Sequence, residues 1–402
     1  MSDPLPGDVI GAQYTQWVYP KPIPDLAKAS FNLQVGPRPH FHVFWPDRPF
    51  TDELDILVGG CGANQAAVLA YTHPGARITA VDISKTALDH EDFLKRKHGL
   101  ENLELLPLAI ENVGKLNRDF DLIISTGVLH HMADPVAGMM ALGRCLRPDA
   151  VFAVMLYAKY GRVGVEMMQR FFRLLGAGMD RAGVDLAKEA LTLLKPWHPV
   201  REFMRSTWDL DFDAGIVDQF LNARAVNYSV DDCFAITERA SLVFQAWLEP
   251  GCYHPETYFG PHGALYQAMY RLDPRRMWAA MEIYNTLNAT HVFCVCRPDR
   301  DPSTYRLSFD RGDVLGYIPV ARPNVAIREE AGRLVLASRT LDCPISQAQQ
   351  VAFKLVDGKR RGREIALAMK PAGVSGNEEQ VETFAFEFLR SLWRLGFVDL
   401  RF

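Results

Sequence analysis

From Glu53 onward short apolar runs alternate with stretches of helical period: ELDILVGG, NQAAVLAY, ITAVDI, KTALDHEDFLKRKHG, LELL, FDLIIS, PVAGMMALGRCL and VFAVMLYA succeed one another as far as Ala158. Runs of that length, each followed by an amphipathic stretch, predict βαβ units on a parallel sheet. Beyond Tyr160 the pattern turns helical, with an apolar stripe in VGVEMMQRFFRLLG and further amphipathic stretches to about Glu238. LVFQAWL from Leu242 and THVFCVCRP from Thr290 return to strand character and suit the last strands of the same sheet. Towards the C-terminus ISQAQQVAFKLVDG, REIALAM, VETFAFEFLRSLWRLG and FVDLRF predict three helices and a terminal strand, the pattern of a small winged-helix-like module.

The expected organisation is therefore an α/β protein. It comprises an aromatic and proline-rich N-terminal arm over residues 1–50, a Rossmann-like core over 51–160 and a helical insertion over 161–240. Closing strands over 241–299, a linker over 300–335 and the α+β winged-helix-like module over 336–402 complete it. The arm is set apart by nine prolines in its first 50 residues, which disfavour regular structure.

Composition narrows the class without naming the chemistry. With 402 residues, 48% apolar and 23% charged, the chain has ample material for a buried core. A formal net charge of -4 gives no overall basic field to draw it to nucleic acid or an anionic membrane. The stretch Met1–Asp8 is polar and acidic, and Ala150–Ala158 is too short to span a bilayer, so neither export nor membrane insertion is expected. Seven scattered cysteines without a CxxC pair argue against a disulfide framework or a zinc knuckle, and a reducing cytoplasm is the simplest home.

Candidate chemistry begins at ILVGGCGANQ, Ile56 to Gln65, where a strand meets a glycine turn and then a helix. Gly60 and Gly62 allow close approach of the backbone, and the helix start offers free N–H groups. Such a turn is also a plain structural device. Asp82, twenty residues after Gly62 at the end of the next strand, decides for a ligand, because an acidic side chain there reaches the hydroxyls of a ribose. A pyrophosphate cradle needs a third glycine, yet Gly62 is followed by Ala63, Asn64 and Gln65. The site fits a nucleoside without pyrophosphate better than a nicotinamide dinucleotide.

Through GGCGANQ, AVDIS and above all FDLIISTGVLHHMADP from Phe120 to Pro135, residues 50–158 resemble the class I S-adenosylmethionine-dependent methyltransferases. The resemblance implies that Gly60, Cys61 and Gly62 face the methionine part of S-adenosylmethionine, Asp82 holds the ribose and Ile83 lies against adenine. Gly59, Gln65, Ile110, Thr126 and Gly127 complete the cofactor set it implies. The adenine-amine contact of the family maps to Ala109, with Glu111 two residues on, and Asn64 stands where many relatives have glycine; both are departures from the pattern.

Two readings of His130 and His131 stand side by side. In the loop after the fourth strand a neutral imidazole is placed to take a proton from an acceptor hydroxyl or amine. Alternatively the rings pack the loop and only the backbone faces the cofactor. Adjacent histidines do not converge on one ion, so no metal is expected. The loop lacks both the Asn/Asp-Pro-Pro-aromatic arrangement of amino-methylating enzymes and a Pro-Cys nucleophile, which disfavours nucleic-acid bases as acceptors.

The stretch YAKYGRVGVEMMQ follows strand five, the acceptor side in this family, and offers Tyr157, Tyr160 and Arg162 for a polar or acidic acceptor. A bacterial group of methyltransferases of mostly undefined substrate is similar here and carries an aromatic-proline arm ahead of the glycine loop. That likeness implies that Tyr14, Trp17 and Tyr19 fold over the cofactor or acceptor; plain anchoring by burial is the other reading. The basic run KRRGR at 359–363 reads first as a solvated turn, so nucleic acid is not an expected partner; a peptide or protein on the C-terminal module is. The expected function is methyl transfer to an oxygen or nitrogen of a small molecule or peptide. A non-catalytic cofactor-binding or interaction module is the alternative.

Overall fold

The computed structural model describes residues 9–31, 35–261, 263–323, 325–338 and 341–402. Met1–Asp8 and residues 32–34 of the expected arm lie outside the described residues. The chain divides into two compact units, one built from residues 1–34, 51–244 and 282–299, the other from 35–50, 245–281 and 300–402.

The first unit is organised by strands β1 (Asp55–Gly59), β2 (Arg77–Asp82), β3 (Leu103–Pro107), β4 (Phe120–Thr126), β5 (Leu146–Tyr157) and β7 (Thr290–Cys296) of a seven-stranded sheet in the order β3-β2-β1-β4-β5-β7-β6, whose β6 (Val243–Trp247) begins in this unit and ends in the second. β1 to β5 pair in parallel, with Val58 beside Ala80 on one flank and Ile124 on the other, whereas β7 runs antiparallel to β5. Every residue of β1 is buried, as a central parallel strand covered on both faces requires. The chain leaves β1 towards β2 on one side and returns to β4 on the other, so the carboxyl ends of β1 and β4 flank a topological switch point where α/β sheets bind their ligands.

Helices cover the sheet where the apolar period placed them, including Gln65–Thr72, Lys85–His98 and Pro135–Gly143. The insertion after β5 is helical as expected. Val163–Leu174, Arg181–Leu193 and Val200–Ser206 surround a core of Val165, Met168, Phe172, Val184, Phe203 and Phe220.

The second unit holds helices Gln347–Lys354, Gly362–Met369 and Glu378–Arg394, and the terminal strand β12 (Val398–Arg401), paired antiparallel with β8 (Ile318–Ala321). A hairpin of β9 (Ala326–Glu330) and β10 (Arg333–Ala337) turns at Ala331 and Gly332, both at positive φ, with β11 (Asp342–Pro344) on its far edge.

Three boundaries differ from the expectation, each because buried side chains outrank local composition. Residues 35–50 of the arm carry the helix Pro37–Phe44, and Phe41, Phe44 and Trp45 are buried within the second unit. Residues 245–281, expected with the closing strands, also join that unit, where Trp247 stacks on Tyr253 at 3.9 Å and the Glu256 carboxylate accepts from Arg394 at 2.8 Å. The segment 300–335 is no linker: it holds helix Arg311–Gly316, β8 and β9, and buries Val314 and Leu315 in the core of the second unit.

Candidate functional site

The glycine turn leaves β1 with Gly60 at φ 78° and Gly62 at φ 55°, conformations that glycine adopts without steric cost. Both glycines are also needed for close approach by the chain itself. A Cβ on Gly60 would lie 2.5 Å from Val128 Cγ2, and one on Gly62 3.0 Å from Pro20 Cδ. Gly59 abuts Leu142, and the buried Cys61 thiol is pushed up by desolvation and by Glu91. At the end of β2 the half-buried Asp82 accepts from the Gly62 N–H at 2.9 Å and the Ser84 N–H at 2.8 Å. These bonds tie the turn to the second strand, although desolvation still lifts the carboxyl above its ordinary range.

The rest of the expected cofactor set follows the carboxyl ends of β1 to β4. Gln65 donates to Thr126 Oγ1 at 2.9 Å, joining the helix after β1 to the end of β4, and Gly127 follows at φ 76°. Ile83 is an apolar side chain left 37% exposed immediately after Asp82, a flat surface suited to a base. Ala109 opens the short helical turn Ile110–Leu116, with Ile110 buried and Glu111 exposed. The residues present fit a nucleoside with a short polar tail.

Asn64 explains its own departure. It occupies the N-cap position of Gln65–Thr72 yet makes no capping bond. Its amide donates instead to Lys21 O at 2.9 Å and accepts from Ile23 N at 2.8 Å, clamping the arm across the glycine turn as a strand pair would. The missing cap comes from Glu91, a fully buried carboxyl whose two oxygens accept from Ala66 N at 2.9 Å and Ala67 N at 2.8 Å. Nothing in the sequence pattern marks Glu91, since it lies in an otherwise ordinary charged helix.

Burial raises the Glu91 carboxyl to about 8, against the opposing effect of the two backbone donors. The folded chain thus holds a proton that the unfolded chain has released above the ordinary glutamate range, so stability falls as pH rises towards 8. In Glu91→Gln this slope disappears: between pH 5 and 8 the wild type should lose about 3 kcal/mol more than the variant in denaturant titrations. Equal slopes would contradict this placement of the proton.

On the other side of the switch point lies a polar cluster. Asp218, 1% exposed, accepts from Tyr14 Oη at 2.6 Å, Tyr157 Oη at 2.8 Å and Gln219 Nε2 at 3.1 Å. Burial and the Asp218 charge push both tyrosine hydroxyls well above the phenol range, so they remain protonated donors. Tyr19 stacks on Phe212 near Asp209, whose carboxyl burial and Asp218 raise to about 6. Arg162 is 2% exposed, with its guanidinium carbon 3.6 Å from the centre of the Tyr157 ring. Trp17 points elsewhere, donating to Met179 O at 2.8 Å.

The two histidines differ. His130 is fully buried, stacks on Tyr157 at 3.8 Å, and has neither ring nitrogen hydrogen-bonded. His131 bonds Arg224 O through Nδ1 at 2.7 Å; a carbonyl only accepts, so Nδ1 carries the proton and Nε2 keeps the lone pair. That nitrogen has no hydrogen-bond partner and lies 4.0 Å from Asp218 Oδ1. Burial holds both imidazoles below their ordinary pKa, neutral at pH 7.

Of the residues expected for the acceptor, Tyr14, Tyr19, Tyr157 and Arg162 come together with both histidines. Tyr160 is half-buried, with Lys159 Nζ 5.9 Å over its ring. Sequence reading missed Asp218, Gln219, Asp209 and Arg224, which arrive from the helical insertion at a distance in sequence that no motif spans. Of the basic run at 359–363, Arg360 pairs with Asp357 at 3.2 Å, Arg363 with Glu382 at 3.7 Å and Arg361 with Gly316 O.

Residues 57–152 match the family model described as a methyltransferase domain. An uncharacterised protein of a Synechococcus strain is 26% identical over 283 residues, 68% of each chain. The tRNA U34 carboxymethyltransferase of Azotobacter vinelandii is 35% identical over 78 residues, which span 19% of this chain and 24% of that enzyme. Among solved structures, PKMT2 from Rickettsia typhi superposes with a TM-score of 0.66 at 14% identity, over 90% of this chain and 75% of that one, and is also known in complex with AdoHcy. The fold is therefore the Rossmann-like methyltransferase fold. Residues 57–152 are accordingly a methyltransferase domain of the S-adenosylmethionine-dependent class I type, with S-adenosylmethionine as its cofactor.

Proposed function

We propose that the chain methylates an oxygen or nitrogen of a small molecule or peptide seated among Tyr14, Tyr19, Tyr157, Arg162 and His131. The observation that carries this reading is the buried Asp218 cluster, with unpartnered polar atoms on His131, Arg162 and Asp209 beside the carboxyl end of β4. Buried polar groups are as a rule hydrogen-bonded, so a concentration of unmet ones marks a place for a polar ligand.

S-adenosylmethionine supplies an electrophilic methyl sulfonium, held in this reading by the turn Gly59–Gly62, Gln65, Asp82, Ile83, the 109–111 segment and Thr126–Gly127. The protein then has two tasks. Tyr14 and Tyr157, fixed on Asp218, position the acceptor for in-line attack and exclude water. His131 Nε2, unprotonated because Nδ1 is committed to Arg224 O, accepts the proton that the nucleophile sheds. His130 packs Tyr157 from within.

His131→Ala should lower turnover of the acceptor by about a hundredfold or more, while leaving affinity for S-adenosylhomocysteine within about twofold. Single-turnover transfer from labelled S-adenosylmethionine, with calorimetry alongside, checks both. Undiminished turnover would remove His131 from this role.

We further read the C-terminal module as winged-helix-like, from its three helices and the β9–β10 hairpin, and as a place for a protein or peptide partner. The free state of Cys61, Cys145, Cys233, Cys252, Cys294, Cys296 and Cys343 supports a cytoplasmic location. Of the two departures from the family pattern, Asn64 has a reason of its own in the clamp on the arm.

A further inference from the structure

Arg162 carries a charge that the protein itself does not pair. Its side chain is 2% exposed, and the Nε and Nη2 hydrogens, which together form the side-on fork of a guanidinium, find no acceptor. Among the described residues no carboxylate lies within ion-pair distance of it. Tyr157 at 3.6 Å and Phe203 at 5.1 Å cover the guanidinium through its π face, an interaction that satisfies the charge in part and leaves the in-plane N–H groups unmet. Asp218 and Asp209 stabilise the charge only from beyond ion-pair distance, a buried cation without a hydrogen-bonded counter-charge is costly, and the fork has the spacing of a carboxylate's two oxygens.

The neighbouring carboxylate is not available to it. Asp218 is already engaged by the Tyr14 hydroxyl on Oδ1 and by the Tyr157 hydroxyl and Gln219 Nε2 on Oδ2. A cationic acceptor would find those oxygens engaged and a single carboxylate oxygen, Asp209 Oδ1, open to it, whereas an anionic one would find both donors of a preformed Arg162 edge free. The ring of Tyr157 connects the two halves of the cluster, because Arg162 lies over it, His130 stacks on it at 3.8 Å and His131 meets its edge at 5.5 Å.

We propose that the methyl acceptor is an anion whose carboxylate docks on the Nε–Nη2 edge of Arg162, anchoring the molecule while a separate oxygen or nitrogen is presented near His131. This deepens the acceptor-site reading above and rests on it. The carboxylate is an anchor and takes no part in bond making; the methyl group goes to the other nucleophile and the proton of that group to His131.

The test uses the full chain saturated with S-adenosylhomocysteine, titrated calorimetrically with benzoate, phenylacetate and 3-phenylpropionate, each beside its neutral amide. At least one acid should bind about tenfold or more tightly than its amide, a preference that Arg162→Gln reduces to within about twofold. Arg162→Lys, which keeps the charge and loses the fork, should retain only part of it, about threefold. In both variants the affinity for S-adenosylhomocysteine should stay within about twofold of wild type, which also shows that they fold. Three results would overturn the proposal: equal binding of acids and amides by the wild type, an acid preference that survives in Arg162→Gln, or tighter binding of benzylamine than of any acid. A tenfold loss of S-adenosylhomocysteine affinity in Arg162→Gln would overturn it too, by assigning the fork to the cofactor's own carboxylate. Absence of S-adenosylhomocysteine binding by the wild type would instead sink the cofactor reading, a failure told apart by the first titration.

Discussion

Asp82→Asn should weaken binding of S-adenosylhomocysteine by about two orders of magnitude while the chain stays folded. In the proposed cofactor site the carboxylate has two jobs. It accepts from the Gly62 and Ser84 N–H groups, fixing the glycine turn against the end of β2, and it stands where the ribose hydroxyls of a nucleoside would donate. Hydrogen bonds to a charged acceptor are worth about 1.5–3 kcal/mol each, so replacing the carboxylate by an amide removes on the order of 3 kcal/mol from the complex. The fold loses less, because the Asn carbonyl still accepts one backbone N–H and β2 keeps its ladder. The effect has a pH signature. Desolvation lifts the Asp82 carboxyl above its ordinary range, so as pH falls the wild type protonates it, and loses cofactor affinity, earlier than an exposed aspartate would. Calorimetric affinities at neutral and mildly acid pH check both points: the wild type should weaken towards acid and Asp82→Asn should be nearly flat.

The second large effect is on stability. In Asp218→Ala the hydroxyls of Tyr14 and Tyr157 and the amide of Gln219 lose their shared acceptor inside a nearly solvent-free cluster, while Arg162 loses one of the charges that stabilise it through space. Removing one member of a buried polar network costs about 3–5 kcal/mol, more than its net contribution when intact, because the remaining groups stay desolvated and unpaired. Denaturant unfolding should show a loss of that size. Asp218→Asn, which keeps the shape and one acceptor oxygen, should lose roughly half as much. The Tyr14 bond also ties the arm to the insertion, so limited proteolysis of Asp218→Ala should cut near residues 9–24 well before the sheet is attacked. A variant as stable and as resistant as the wild type would show that the cluster does not hold the arm.

What the sequence made legible follows the range over which its signals act. The strand runs, the turn at Gly60 and Gly62, and Asp82 at the end of the next strand are local patterns, and the structure places them at the switch point of the sheet. The helical insertion and the terminal helices were likewise visible from their period. Boundaries were not, because side-chain burial between remote segments decides them: Trp45, Trp247 and Val314 look unremarkable in sequence and join the second unit through packing alone. The same reason hid Asp218, Asp209 and Glu91. Each acts on residues far along the chain, and a lone acidic residue in a helix or turn carries no period or spacing to announce it. Asn64 was noticed as a departure from a pattern, but its reason, the clamp on Lys21 and Ile23, exists only once the arm is folded back.

The central claim is that the turn from Gly59 to Gly62 and Asp82 form a site for a nucleoside without pyrophosphate, and titration of the wild-type chain with S-adenosylhomocysteine and, separately, with NADH tests it most directly. One molecule of S-adenosylhomocysteine per chain should bind, with NADH giving no heat at the same concentrations. Heat with NADH, or none with S-adenosylhomocysteine, would contradict it.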